Sequence, residues 1–265
     1  MINNKEEISK TATKVLFGII PYIGDALDEV VFEHRSRIKQ NRINQFVESF
    51  KEFYKSLNIK QVKIDDIKSE EFGDVFEAIL RSVANNRSKH KIEHFKNILA
   101  NQIQHANYTD FTETYLDIVS KLNEVQISIL KSHNEIKTPI EELTKKEEQL
   151  TETIKKLKKI KEGLIDKAKI KRLNKNESIA EKEYEIAKSE LERKKIQDSI
   201  KDKDVIRNSE FYSLKQGDYI FYIQDLVSKS LLVDEGIGKH DYKPYRLMTI
   251  SEFGKKFLEF LEYKV

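Results

Sequence analysis

Residues 137–204 form one long charged run, and no other stretch limits the possible folds as strongly. Tyr184 is its sole aromatic residue and Gly163 its sole glycine. A segment this polar, with so few turn residues, folds only as a long helix or a pair of helices. Its first arm carries Ile136, Ile140, Leu143, Leu150, Ile154 and Leu157, with Glu147 in the one vacant seam position. That alternation of four and three is a heptad repeat. Beyond Leu157 it loosens through Ile160, Leu164, Ile170 and Leu173, and residues 174–178 are the turn candidate. The return arm offers Ala180, Tyr184, Ala187, Leu191, Ile196 and Ile200. Two arms of similar length predict an antiparallel coiled-coil hairpin projecting about 45–55 Å at a rise of 1.5 Å per residue. One uninterrupted helix zipped to a partner chain is the alternative.

Only 8 glycines and 3 prolines occur in 265 residues, so the chain as a whole is expected to be mainly all-α. Apolar steps of three and four predict a helix from Asp25 to Leu57, with Leu27, Val31, His34, Ile38, Ile43, Phe46, Phe50 and Phe53 on its stripe. Ser69 caps a second helix that buries Phe72, Val75, Phe76, Ile79, Leu80 and Val83 and breaks at Asn85-Asn86. A third turns Ile92, Phe95, Ile98, Leu99, Ile103 and Ala106 inward. A fourth opens at Thr109 or Asp110 and buries Phe111, Tyr115, Leu116, Ile118, Val119 and Leu122. Residues 1–121 therefore read as an N-terminal helical bundle.

Asn123 with Gln126 starts a short helix through Lys131. After the charged run, a helix from Tyr219 to Leu231 leads into Leu232-Val233, a glycine-bearing turn at 234–239, a strand at 245–249 and a closing helix after Ser251. The run from Leu226 through Leu231-Leu232 to Leu247-Met248-Thr249-Ile250-Ser251-Glu252-Phe253-Gly254 resembles the second half of a winged-helix domain. The resemblance implies a module made of 122–135 and 205–265, with 136–204 inserted as the hairpin.

Cysteine is absent, which excludes disulfides and thiolate metal sites and fits a cytoplasmic location. The apolar stretch 15–23 is about half a membrane span. Lys and Arg total 48 against 45 Asp and Glu, so no general attraction to polyanions follows. Gly236 and Gly238 lack the spacing of a phosphate loop, and no nucleophile-elbow or zinc-protease motif is present. His90 and His94 lie four apart on a helix but lack a third ligand nearby in sequence, and are expected on a solvated face. No enzyme activity, cofactor or metal is expected.

Three surfaces remain candidates for contact. Residues 155–175 hold ten basic side chains against two acidic ones, giving +8, so Lys155, Lys156, Lys158, Lys159, Lys169, Lys171 and Arg172 suit phosphates of nucleic acid or lipid, or an acidic partner. The helix after 216 is poor in cations and rich in rings: Tyr219, Phe221, Tyr222, with Phe211 or Tyr212 nearby. Tyr219, Tyr222, Phe211 and Tyr212 accordingly suit a protein partner better than a DNA groove. Leu16, Phe17, Ile19, Ile20 and Ile23 either pack in the bundle or enter a membrane or a partner groove.

The wording Ile20-Pro21-Tyr22-Ile23-Gly24-Asp25-Ala26-Leu27, followed by Arg35, Arg37 and Arg42, resembles bacterial abortive-infection proteins of the alpha type, as do the leucine-rich helix, the wing and Phe253-Gly254. That resemblance implies phage-defence or prophage biology and brings no catalytic residues. The expectation is a non-enzymatic cytoplasmic interaction protein that binds protein through the hairpin and the aromatic surface, with oligomerisation open. A nucleic-acid-binding regulator and a membrane-perturbing effector are the alternatives.

Overall fold

The computed structural model describes residues 33–56, 69–104, 111–171, 177–238, 240 and 244–262. The fold is mainly all-α, with one small two-stranded antiparallel sheet among the described residues. By contacts the chain divides into two units. The first takes the described residues of Met1–Glu124 and Glu252–Val265, and the second is Val125–Ser251.

The first unit holds α1 (Glu33–Ser56), α2 (Glu70–Asn85), α3 (Lys89–Gln104), α4 (Thr112–Lys121) and the closing helix, α8 (Glu252–Leu261). Ser69 caps α2 by accepting the Phe72 amide at 3.2 Å, and Glu70 and Glu71 favour its positive end. All six residues expected on its buried face are buried. Around them pack Phe46 and Phe50 of α1, Phe95, Ile98 and Leu99 of α3, and Leu116, Val119 and Leu122 at α4. The α1 stripe is narrower than expected. Ile38 is 52% exposed, while Tyr54, which continues the spacing from Phe46 and Phe50, is buried. Phe111 is half exposed rather than buried, since it precedes α4 and packs at the margin against Phe253 and Tyr115, at 5.5 and 6.2 Å.

The grouping differs from the sequence expectation at its C-terminal end, where α8 belongs with the first unit. The cause is aromatic. Tyr115 of α4 meets the rings of Phe253, Phe257 and Phe260 at 5.1, 5.8 and 5.1 Å. Asn97 and Asn101 of α3 then donate to the carbonyls of Leu261 and Glu262 at the end of α8.

The second unit is built on α5 (Glu124–Lys171) and α6 (Glu177–Asp204). No break follows Lys131: α5 runs on through Pro139, because buried Leu130 and His133 and half-buried Ile136 and Ile140 keep one face packed. The amide that Pro139 lacks would have met the carbonyl of exposed Glu135, where water can serve instead. The arms run antiparallel. Gln197 donates to Glu147 at 2.9 Å, and Lys158 and Lys161 pair with Glu190 and Glu183 at 2.7 and 3.0 Å. The expected hairpin therefore forms within one chain.

Its seam corrects the sequence expectation in the return arm. On α5 the heptad continues from Leu157 to half-buried Lys161 and Leu164, leaving Ile160 50% exposed. On α6 the seam is Ile179, Lys182, Ile186, Ser189, Arg193, Ile196 and Ile200. Ala180, Tyr184, Ala187 and Leu191 lie outside it, with Tyr184 and Leu191 70% and 57% exposed.

Two 3₁₀ turns, Val205–Arg207 and Ser209–Tyr212, link the hairpin to α7 (Gln216–Ser228). Ser230, at φ 59°, closes α7 as its amide meets the Val227 carbonyl and the Leu231 amide meets that of Leu226. Strands β1 (Leu232–Asp234) and β2 (Met248–Ile250) pair in register Leu232 with Ile250 and Asp234 with Met248. The second strand starts later than expected because Tyr245 has a φ of 62°, outside the extended region.

Candidate protein-interaction surface

Helix α7 is amphipathic. Tyr219, Ile223 and Leu226 face inward and are buried. Spacing then leaves Asp218, Phe221, Gln224 and Ser228 on the exposed face. No lysine or arginine occurs between Gln216 and Ser228, and Asp218 and Asp225 add negative charge. Asp225 accepts from Gln126 of α5 at 2.6 Å and pairs with Lys229, which anchors α7 to the start of the hairpin. Beside the helix, the Asp234 carboxylate accepts the amides of Gly236 and Tyr245, both at 2.9 Å, and so shapes the wing turn. That turn presents Ile237, 71% exposed.

The four aromatic candidates separate. Phe211 is 52% exposed and Tyr222 half-buried. Tyr219 and Tyr212 do not serve as expected. Tyr219 is buried, and Tyr212 stacks on it with centroids 5.8 Å apart, so both are packing residues. Burial raises both phenols, Tyr212 to about 12. Phe221, 63% exposed, is the ring that faces outward instead, and with it Val233 and Ile237. The sequence already offers Phe221 among the rings of this helix, and helical arithmetic around Tyr219, Ile223 and Leu226 singles it out as the outward one, whereas the wing residues carry no such periodic signal.

Near Tyr219 one buried histidine lies beside a half-buried ion pair. His133 donates through Nδ1 to the Ile129 carbonyl at 2.8 Å, and its Nε2 has no partner among the described residues. Arg207 binds Asp204 and donates through Nε to the Met248 carbonyl at 3.1 Å, joining the end of the hairpin to β2. Burial, with Arg207 contributing, lowers the His133 imidazole to about 4.

Three lysines of α5 are answered from within the hairpin. Lys158 pairs with Glu190, Lys161 with Glu183, and Lys156 with Glu152 at 2.9 Å. Glu190 and Glu152 are held below the usual carboxylate range by bonding to Lys158 and Lys156. Lys155 and Lys159 are exposed. The side chains of Lys169 and Lys171, and all of Arg172, lie outside the described residues, as do Leu16, Phe17, Ile19, Ile20 and Ile23.

His90 and His94 do find a carboxylate, Glu124, at 4.0 and 3.8 Å. His94 is only 14% exposed, so the expected solvated face holds for His90 alone. The described residues contain no group of three His, Cys, Asp or Glu arranged to hold a metal. Between α2 and α4 an open cleft of about 590 Å³ is lined by Asp74, Glu77, Arg81, Glu113, Asp117 and Ser120. Its charges are partly paired, Arg81 with Glu77, and Asp117 with Lys121 at 2.6 Å. Among the described residues no helix is long and apolar enough to cross a membrane. No family model, no curated protein and no solved structure matches the chain.

Proposed function

We propose that the protein is a non-enzymatic, cytoplasmic interaction protein that binds a protein partner through α7 and its neighbouring aromatic residues, with the hairpin as a second contact element. The observation that carries this is the exposed face of α7: a phenylalanine flanked by Asp218, Gln224 and Ser228, with no cation in the helix. A helix that enters a DNA groove presents donors to bases and phosphates. This one presents a carboxylate and a ring, and the ring gains most from an apolar pocket. A defence role of the abortive-infection type rests on the sequence resemblance and directs the search to host and phage proteins.

Capture from a bacterial lysate compares the full chain with Phe221→Asp and with a deletion of 140–203. A specific protein retained by the full chain and lost with Phe221→Asp supports the reading. Capture unchanged by Phe221→Asp refutes the role of α7, and capture unchanged by the deletion removes the hairpin's role. The nucleic-acid alternative is tested alongside by duplex binding over a salt series. Affinity that falls steeply with salt, and less steeply after Lys155, Lys156, Lys158 and Lys159 are changed to Glu, would replace the protein reading.

A further inference from the structure

The return arm carries two apolar stripes. One is the seam. The other, Ala180, Tyr184, Ala187 and Leu191, repeats at four, three and four residues on the exposed side of α6. A solvated helix face has no need of such spacing, and here a small and a large residue alternate along it. We propose that this face pairs antiparallel with the same face of a second copy, so that two hairpins associate side by side.

The register follows from size and charge. With the two-fold axis between residues 185 and 186, Tyr184 packs over the partner's Ala187 and Leu191 over the partner's Ala180. Each large side chain thus meets a small one, as close helix packing requires. In that register Glu181 faces the partner's Lys188, and by symmetry Lys188 faces the partner's Glu181. The opposite flank brings Glu183 toward the partner's Glu190. Within each hairpin those carboxylates are already answered by Lys161 at 3.0 Å and Lys158 at 2.7 Å, so the like charges are offset. An isologous pairing of this kind needs one surface complementary to itself, and this stripe is. The reading is independent of the α7 face, because it concerns a different helix and a different partner.

Sedimentation equilibrium of the full chain over a concentration series tests it. The wild type is expected to show a concentration-dependent dimer, and Leu191→Lys to weaken it about a hundredfold or more, because the two-fold symmetry exposes two buried leucines at once. Glu181→Lys and Lys188→Glu are each expected to be monomeric, since each places like charges across the axis. An equimolar mixture of the two is expected to dimerise again. All three substitutions are at exposed helical positions, and unchanged far-ultraviolet circular dichroism confirms folding. A monomer at every concentration overturns the proposal, as does a dimer indifferent to Leu191→Lys. Sensitivity to Leu191→Lys without recovery in the mixture overturns the antiparallel register.

Discussion

Replacing His133 with leucine should remove most of a distinct pH dependence of stability from the second unit. The imidazole is buried between α5 and the first 3₁₀ turn, with Asp204 and Arg207 as its charged neighbours. Its folded value is about 4 against an ordinary 6.5. Between those values the unfolded chain binds the proton and the folded chain does not. Stability from this group is therefore full above pH 6.5 and is lost as pH falls toward 4. At about 1.4 kcal/mol per unit, the loss is about 3.5 kcal/mol once pH is below both values, and about 2.5 kcal/mol by pH 4.5. Urea unfolding by circular dichroism, at constant ionic strength from pH 7.5 to 4.5, measures it. The carboxylates titrate in wild type and His133→Leu alike, so the difference between the two curves isolates the histidine. A difference that stays constant within about 0.5 kcal/mol over that range would refute the claim that His133 is held neutral.

Three further changes probe separate parts of the fold. Ser69→Ala should cost about 1 kcal/mol of unfolding free energy by removing the α2 cap, and Ser69→Asp should restore most of it. Ile154→Ala, in the buried seam of the hairpin, should cost about 2–4 kcal/mol and lower the melting temperature of the hairpin signal while leaving α2 amide-exchange protection unchanged. Asp225→Ala withdraws the carboxylate shared by Gln126 and Lys229 and should cost about 1–3 kcal/mol, read by urea unfolding.

Where one periodic stripe met one partner surface, sequence arithmetic recovered the structure. The Phe72–Val83 stripe, the Ser69 cap and the heptad from Ile136 to Leu157 are all of this kind. The return arm defeated it because two stripes coexist there. The true seam interrupts its isoleucines with Lys182, Ser189 and Arg193, while the exposed stripe reads as the more apolar of the two. Lysine and arginine can lie in a seam because their methylene stems pack while the charge reaches outward. The partner of α8 was equally hidden. Its phenylalanines announce a buried face, but only tertiary structure reveals Tyr115 as what they meet. Glu124 beside His90 and His94 is separated from them by 30 or more residues, and no local spacing signals that approach.

The surface reading rests most heavily on Phe221, and a photoreactive phenylalanine at that position reports directly on what it touches. With benzoylphenylalanine at 221 in cells, irradiation is expected to yield a covalent adduct with a protein, digestible by protease and resistant to nuclease. The same probe at Lys215, just before the helix on an exposed position, should give much less. A nuclease-sensitive adduct at 221, or no adduct there while probes at Lys155 or Lys159 capture nucleic acid, would contradict a protein-contact role for α7.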